Sequence, residues 1–240
     1  MNPIVIIPTY NEKENILAML DKVMSLLTVF DVLVVDDNSP DGTAQMVKER
    51  MANESRINLL ENGNKNGLGT AYIAGFKWCL ERNYEYIFEM DCDFSHNPDD
   101  LIRLHDELQK LGNDMVVGSR YVGNVVNVVN WPMSRVLLSY FASAYVRFFT
   151  QMKLADATAG FVGYTNELLS SIDMSRIKFR GYAFQIEMKY TAHSLGKTIK
   201  EIPIIFTDRT AGESKMTGGI IREALFGVIS LRFKRISALK

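Results

Sequence analysis

Short runs of β-branched residues alternate with amphipathic segments along the first 120 residues of the chain. The runs are rich in valine and isoleucine and end in turn-forming or polar residues, which is typical of strands buried within a sheet. The segments between them carry apolar residues at helical spacing. The predicted strands are Pro3–Pro8, Asp31–Asp36, Arg56–Leu60, Tyr86–Met90 and Asp114–Gly118, and the predicted helices are Glu12–Leu27, Thr43–Met51, Gly67–Arg82 and Pro98–Leu111.

This alternation predicts an α/β fold with a mostly parallel sheet and helices on both faces. Ligands of such sheets bind beyond the carboxyl ends of the strands. We therefore expect the functional site among the residues that directly follow the strands.

The pattern changes after residue 120. We expect helices at Ser134–Thr150, Tyr182–Leu195 and Gly219–Arg235, a loop at Val122–Trp131, a strand or loop at Asp156–Tyr164 and a strand at Lys200–Phe206. No repeat or linker is visible. The sequence therefore predicts one domain over residues 1–218, followed by a basic amphipathic helix within residues 219–240.

Composition limits the classes of function. The 240 residues have a formal net charge of -1, so no overall field attracts nucleic acid, and we expect no nucleic-acid partner. Cys79 and Cys92 form no spaced cluster, which favours a reducing compartment. The N-terminal apolar run is too short for a signal peptide, and no apolar run reaches the roughly 18 residues of a membrane span. We expect a cytoplasmic protein.

The first two strands are followed by side chains that suit nucleotide binding. Tyr10 offers a flat ring on which a nucleobase can stack, while the carboxylate of Glu12 equally suits the start of a helix. Asp36 and Asp37 end the second strand, and two carboxylates where a buried strand surfaces are costly unless they bind something. These two residues are candidates for ribose or base contacts, whereas residues 41–43 form an ordinary turn and helix cap.

The fourth strand ends in the most informative motif of the sequence. Asp91 and Asp93 lie one residue apart and form a compact, oxygen-rich corner at the end of a central strand. A divalent cation that bridges phosphates needs one or two protein carboxylates plus substrate oxygens. Ser95 and His96 are candidates to complete the coordination shell. The sequence therefore predicts a Mg²⁺ or Mn²⁺ site here.

Cationic residues are expected at the same edge of the sheet. Arg120 follows the fifth strand, and Arg209 and Lys215 lie in a glycine-containing segment after a later strand. Such groups in a short loop suit the clamping of phosphate. By contrast, Gly67–Tyr72 lacks the third glycine and the first-strand position of a dinucleotide fingerprint.

Taken together, these motifs resemble the family 2 glycosyltransferases of the GT-A fold, a Rossmann-like fold. Within that family they are most similar to the dolichol- or polyprenol-phosphate mannose synthases, of the type without transmembrane helices. The resemblance runs from Pro3 to about Gly219. The matching segments are Pro8–Glu12, Asp36–Thr43, Gly67–Gly69, Asp91–His96, Gly118–Tyr121 and Asp208–Lys215.

The resemblance implies roles for individual residues on the donor side. Asp93 and Ser95 would hold the metal, together with Asp91. Two departures from the family pattern matter, because Cys92 replaces the usual alanine and Ser95, a weaker ligand, replaces the glutamine of some relatives. The residues implied to line the nucleotide pocket or contact the donor are Pro8, Tyr10, Glu12, Val35, Asp37, Asp91, Cys92 and Asp93.

Other implied roles concern phosphate. Arg120, Arg209 and Lys215 would bind donor or acceptor phosphates, and Arg135 the acceptor phosphate. The implied reaction moves mannose from GDP-mannose to a polyprenyl or dolichyl phosphate, with inversion to a β-linked product. A phosphate monoester has a second pKa near 6, so it is a ready nucleophile at neutral pH and needs no strong general base. The catalytic candidates are Asp91, Asp93, Arg120 and Arg135.

Several alternatives stay open at the level of the sequence. Mannose rests on the resemblance alone, so UDP-glucose and UDP-N-acetylglucosamine remain alternative donors. The phosphate-clamping loop disfavours a glycan acceptor, and the intact acidic pairs disfavour a non-catalytic subunit that binds nucleotide-sugar. The apolar faces of Ser134–Thr150 and of the C-terminal helix suit peripheral contact with a membrane surface, or packing on the domain or on a second subunit.

Overall fold

A seven-stranded sheet forms the centre of the computed structural model, which describes residues 2–63, 67–181, 183–208 and 227–232. The strands are β1 (Ile4–Thr9), β2 (Asp31–Asp36), β3 (Ile57–Glu61), β4 (Tyr86–Glu89), β5 (Met115–Ser119), β6 (Val128–Val129), β7 (Val162–Thr165), β8 (Ile199–Pro203) and β9 (Phe206–Thr207). The helices are α1 (Ile16–Met24), α2 (Thr43–Met51), α3 (Leu68–Glu81), α4 (Asp100–Leu108), α5 (Met133–Thr150), α6 (Asn166–Ser170) and α7 (Ala183–Ser194). The five strands and four helices predicted for the first 120 residues are confirmed, although α1 and α4 are shorter than predicted.

The order of strands in the sheet is β3-β2-β1-β4-β7-β5-β8. Every neighbouring pair is parallel except those of β7, which runs antiparallel between β4 and β5. The predicted mostly parallel sheet is confirmed. Because β7 is reversed, its amino end lies beside the carboxyl ends of β4 and β5. The segment before Val162 is thereby brought to the edge where ligands of parallel sheets bind.

The segment Lys200–Phe206 was predicted to be one strand, and this prediction was wrong. β8 ends at Pro203, and β9 pairs instead with β6 in a separate two-stranded sheet. Proline has no backbone N–H with which to continue a ladder. The predicted loop Val122–Trp131 contains β6, whose carbonyl at Val129 accepts a hydrogen bond from the amide of Asp208.

Both faces of the sheet are buried under helices. Successive side chains of a strand point to opposite faces, so Ile4 and Ile6 pack under α3, while Val5 and Ile7 pack under α1 and α4. The β-branched runs form strands because alternate side chains along each strand fill the cores on the two faces of the sheet.

The structure tests only part of the predicted C-terminal helix. Residues 227–232 are helical, and Val228 and Leu231 are buried in a third cluster with Val146 of α5 and Ile186 of α7. This stretch packs on the domain. The rest of Gly219–Arg235 and the predicted domain boundary at 218 lie outside the described residues. No helix in the described ranges is long and apolar enough to span a membrane.

Candidate functional site

The loops that follow β1 and β2 are fastened to each other. The amide of Asn11 donates to the Ser39 hydroxyl at 3.0 Å, and the amide of Glu12 donates to Thr43 Oγ1 at 3.1 Å. Asp41 accepts from the amides of Thr43 and Lys13, which confirms a turn-and-cap role for residues 41–43. The two loops therefore form one rigid surface at the carboxyl edge.

The adjacent carboxylates at the end of β2 have different hydrogen-bond partners. Asp36 is only 1% exposed and accepts from Thr9 Oγ1 at 2.7 Å and from the Ser39 amide and hydroxyl at 2.8 and 2.6 Å. Its oxygens are thus committed to fastening the loop, which corrects the expectation of a ribose or base contact. Asp37 accepts from Asn62 Nδ2 at 2.9 Å and remains the candidate of the pair.

The predicted nucleotide-pocket residues fall into two groups. Pro8, Tyr10 and Glu12 are half-buried at the carboxyl edge, where a nucleotide can reach them. Val35, in contrast, is fully buried among Ile4 and neighbouring core residues beneath α3. Its side chain points into the core, and the expectation that Val35 lines the nucleotide pocket stays a prediction.

The acidic corner follows β4. Asp91 and Asp93 are half-buried at the surface of the edge, whereas Cys92 between them is 3% exposed and belongs to the core. The buried position of Cys92 explains why a small, uncharged residue stands there, and its expected contact with the donor stays a prediction.

Ser95 contacts the carboxylate of Asp93. It is buried, its hydroxyl hydrogen-bonds Asp93 Oδ1, and its amide donates to the same oxygen at 3.1 Å. We interpret Ser95 as orienting the Asp93 carboxylate, and its expected role as a metal ligand stays a prediction. Phe94, which lies between Asp93 and Ser95 in the sequence, has a left-handed backbone conformation with φ of 58°. This conformation is strained for a bulky residue.

His96 lies behind this corner and supports it. Its ring stacks on Phe161 with a centroid distance of 5.0 Å, and Nδ1 accepts the amide hydrogen of Asp91 at 3.4 Å. Burial lowers the pKa of His96 to about 4, against the opposing effect of Asp93. The imidazole is therefore neutral at neutral pH and acts as an acceptor for the backbone.

The donor set of the corner suits a metal shared with a substrate. Within the described ranges, no group of three histidine, cysteine, aspartate or glutamate side chains is placed to hold an ion. Asp91 and Asp93 together supply two carboxylates at this edge. This fits a Mg²⁺ or Mn²⁺ ion whose remaining ligands are diphosphate oxygens and water.

Arg120 forms a buried ion pair that the sequence did not predict. Its Nε and Nη2 each lie 2.7 Å from an oxygen of Asp156, which is fully buried, and Nη2 also donates to Thr158 Oγ1 at 2.8 Å. The guanidinium is thus held by Asp156, and we interpret Arg120 as a residue that also positions the 155–159 segment. Its expected role in phosphate binding stays a prediction.

Arg135, in the first turn of α5, is directed towards Asp208. This residue directly precedes residues 209–215, which contain Arg209 and Lys215 and are called the cationic segment below. Its Nη1 lies 2.9 and 3.0 Å from the two carboxylate oxygens of Asp208, and its guanidinium stacks 4.1 Å from the Trp131 ring centroid. The amide of Thr207 donates to the carbonyl of Ser95 at 3.2 Å, so this chain passes beside the acidic corner. Arg209 and Lys215 lie outside the described residues.

A buried polar network lies beneath the corner. Glu89, the last residue of β4, accepts from Tyr164 Oη at 3.2 Å and from Gln185 Nε2 at 2.5 Å. Lys189 is fully buried one helical turn after Gln185. Burial raises the pKa of Glu89 and lowers that of Lys189, while the attraction between the two charges opposes both shifts. Sequence reasoning missed this network because Gln185 and Lys189 sit in an ordinary helical pattern.

The fold and this edge together are those of a GT-A glycosyltransferase. The model of glycosyl transferase family 2 matches residues 4–173, and the chain belongs to that family. It is 44% identical, over 95% of its length and 93% of the relative's, to an undecaprenyl-phosphate mannosyltransferase of Micrococcus luteus. It is also 44% identical, over 94% of its length and 84% of the relative's, to a polyprenol monophosphomannose synthase of Mycolicibacterium smegmatis.

Solved structures share the fold at lower identity. A glucosyl-3-phosphoglycerate synthase of Mycobacterium tuberculosis, in complex with Mn²⁺, UDP-glucose and phosphoglyceric acid, is 16% identical with a TM-score of 0.73 over 97% of this chain and 80% of its own. A mannosyltransferase of Pyrobaculum calidifontis, in complex with GDP-mannose and Mn²⁺, is 17% identical with a TM-score of 0.59 over 96% of this chain and 70% of its own. These likenesses show the GT-A fold.

Proposed function

We propose that this glycosyltransferase moves mannose from GDP-mannose to the phosphate of a polyprenyl or dolichyl phosphate, with inversion to a β-linked lipid-phosphate sugar. The observation that carries the proposal is the hydrogen bond between Thr207 and Ser95, which places the entry to the cationic segment beside the acidic corner. The acidic corner suits a donor diphosphate bound through a metal ion, and the cationic residues that follow Asp208 in the sequence suit the acceptor phosphate. The names of the two 44%-identical relatives support the same substrates.

On the donor side, the half-buried Tyr10 and Glu12 and the more deeply buried Asp37 would contact the nucleoside. Asp91 and Asp93 would hold Mg²⁺ or Mn²⁺, which when bound neutralises the donor diphosphate and stabilises it as a leaving group. Ser95 and His96 keep this corner in place through Asp93 and the Asp91 amide. The protein thus offers a fixed anionic corner rather than a closed metal cage.

On the acceptor side, Arg135 is the described cation best placed for a phosphate. Its guanidinium already binds a carboxylate through Nη1, the geometry that also suits phosphate oxygens. We infer that the acceptor phosphate competes with Asp208 for this group. Arg209 and Lys215 follow in sequence and remain candidates for the same clamp.

The chemistry needs orientation and charge balance rather than proton abstraction. The acceptor phosphate is largely dianionic at neutral pH, so it attacks the anomeric carbon directly. His96 is neutral and is engaged by the backbone, so we assign it no role as a base. A single displacement inverts the α-linked donor to a β-linked product, and fixing both reactants supplies much of the rate enhancement.

The surface beside Arg135 suits a membrane-borne acceptor. The same helix, α5, exposes a continuous apolar stripe, formed by Met133, Leu137, Phe141 and Phe148, which are 47–73% exposed. An apolar stripe that begins at the acceptor-phosphate residue would lie in the lipid interface while the phosphate reaches the site. We propose peripheral association with the cytoplasmic face of a membrane.

Vesicle flotation tests this part of the proposal. The double variant Phe141→Ser/Phe148→Ser is expected to lose flotation with anionic vesicles, while Leu111→Ser, which alters an exposed leucine after α4, floats like the wild type. Equal flotation of all three proteins would contradict a membrane-facing α5.

The sugar is tested by a donor panel. The protein is incubated with GDP-mannose, UDP-glucose or UDP-N-acetylglucosamine, together with Mn²⁺ and a polyprenyl phosphate, and the lipid product is analysed by mass. We expect product from GDP-mannose at a rate far above the other two donors. A preference for a UDP-sugar would contradict mannose as the transferred sugar, but it would not contradict transfer to a lipid phosphate.

A further inference from the structure

Lys189 has surroundings that are unusual for a lysine. Its side chain is 0% exposed, in the middle of α7. Its ammonium donates to the Ala159 carbonyl at 2.6 Å and to the backbone and side-chain oxygens of Gln185 at 3.2 and 3.3 Å. All three hydrogens therefore have acceptors, and the group is held in a fixed direction.

One branch of this network leads to the acidic corner. The Oε1 of Gln185 accepts from Lys189, so its Nε2 is directed away and donates to Glu89. Glu89 ends β4, and Asp91 begins the corner two residues later. The Glu89 side chain is therefore linked to Lys189 two residues before the corner begins.

The other branch leads to the segment that holds Arg120. The Ala159 carbonyl belongs to residues 155–159, which are pinned by Arg120 through Asp156 and by Glu201, whose carboxylate accepts from the amides of Ala155 and Asp156 at 2.7 and 2.9 Å. Lys189 is thus bound at once to both sides of the catalytic edge.

Stability alone does not account for a lysine at this position. Removing a charge from water costs several kcal/mol, and well-packed apolar residues of similar volume often serve a core equally well. A fully satisfied buried network does, however, select one arrangement of the groups that it joins. Groups behind a metal ligand are known to orient it, and their loss typically lowers metal affinity or activity about 10- to 100-fold.

We propose that Lys189 is a positioning residue that sets the acidic corner relative to the 155–159 segment, acting through Gln185 and Glu89. This inference rests on the proposed function in one respect, namely that Asp91 and Asp93 hold the metal together with the donor diphosphate. Lys189 touches neither the metal nor the sugar, and its effect on them passes through its two hydrogen-bonding branches.

The test compares metal binding, turnover and stability in matched variants. Lys189→Met keeps the stem and removes the ammonium, whereas Thr191→Val alters a buried hydroxyl of the same helix that has no partner among the described residues. We measure Mn²⁺ affinity in the presence of GDP by electron paramagnetic resonance, kcat with GDP-mannose and polyprenyl phosphate, and urea unfolding. Lys189→Met is expected to weaken Mn²⁺ binding and kcat about tenfold or more, while Thr191→Val matches the wild type.

A double variant separates positioning from stability. Glu89→Gln combined with Lys189→Met removes both buried charges, so the unfolding free energy should recover towards the wild-type value while Mn²⁺ affinity and kcat stay low. Recovery of the unfolding free energy, the Mn²⁺ affinity and kcat together would overturn the proposal. A folded Lys189→Met protein with wild-type Mn²⁺ affinity and kcat would also overturn it. If Lys189→Met does not fold, Gln185→Met, which keeps both charges, takes its place under the same criteria. Asp93→Ala is the reference, because unchanged Mn²⁺ binding in that variant would refute the metal site itself rather than the role of Lys189.

Discussion

The amide of Thr207 donates a hydrogen bond of 3.2 Å to the carbonyl oxygen of Ser95. Through this contact, the chain that leads into the cationic segment runs along the back of the acidic corner. Asp208 follows at once and binds Arg135 of α5. The residues proposed for the donor diphosphate and for the acceptor phosphate therefore lie on elements that are hydrogen-bonded to each other.

Arg135 should control affinity for the lipid rather than for the donor. Replacing it by alanine removes a charge-assisted contact, and we expect the KM for polyprenyl phosphate to rise about tenfold or more while the KM for the donor changes little. Steady-state kinetics with each substrate varied in turn checks this. The matched control is Arg50→Ala, which removes a surface arginine paired with Asp21. An unchanged lipid KM in Arg135→Ala would place the acceptor elsewhere.

The ion pair of Arg120 and Asp156 should matter for stability. Asp156→Asn leaves a buried guanidinium without its counter-charge, and we expect the free energy of unfolding in urea to fall by about 3–5 kcal/mol. Asp99→Asn breaks the exposed pair with Lys22 and should cost less than about 1 kcal/mol. Similar small losses in both variants would show that Arg120 is not held as the structure indicates.

Much of the architecture was predictable from the sequence. β-branched runs marked the parallel strands because both faces of this sheet are buried. The acidic corner was found from Asp91 and Asp93 at the end of a central strand. The burial of Cys92 between them was not predicted.

Other features had no local signal. The antiparallel insertion of β7 brings Asp156 to Arg120 across 36 residues, and hydrophobic periodicity does not report strand direction. Lys189 occupies a helix whose pattern is compatible with an exposed charge. Tertiary pairing decides both, so sequence reasoning missed the partner of Arg120 and passed over Lys189.

Phe94 offers a test of strain in the acidic corner. Its φ of 58° is costly for a side chain with a Cβ and free for glycine. We expect Phe94→Gly to be about 1 kcal/mol more stable than Phe94→Ala in urea unfolding, since only glycine relieves the backbone. Neither variant should exceed wild-type kcat, because the turn presents Asp93. A glycine variant no more stable than the alanine variant would argue against strain.

His105 should make stability depend on pH. It packs against the rings of Phe30 and Tyr86, and burial lowers its pKa despite the nearby carboxylates of Asp106 and Glu85. A histidine with a depressed folded pKa stabilises the protein above its unfolded pKa of about 6.5 and loses that contribution as the pH falls towards the folded value.

The corresponding measurement is the free energy of unfolding at pH 7.5 and pH 5.5. We expect the decrease between these conditions to be smaller in His105→Phe than in the wild type. An equal decrease in both proteins would show that His105 does not take up its proton preferentially in the unfolded state.

The central claim is that sugar reaches a lipid phosphate at the corner formed by Asp91 and Asp93. Its most direct test is the mass of the lipid product after incubation with GDP-mannose, Mn²⁺ and a polyprenyl phosphate, for the wild type and for Asp93→Ala. We expect a hexosyl-lipid phosphate from the wild type and almost none from a folded Asp93→Ala protein. No lipid product from the wild type, or equal product from both, would contradict it.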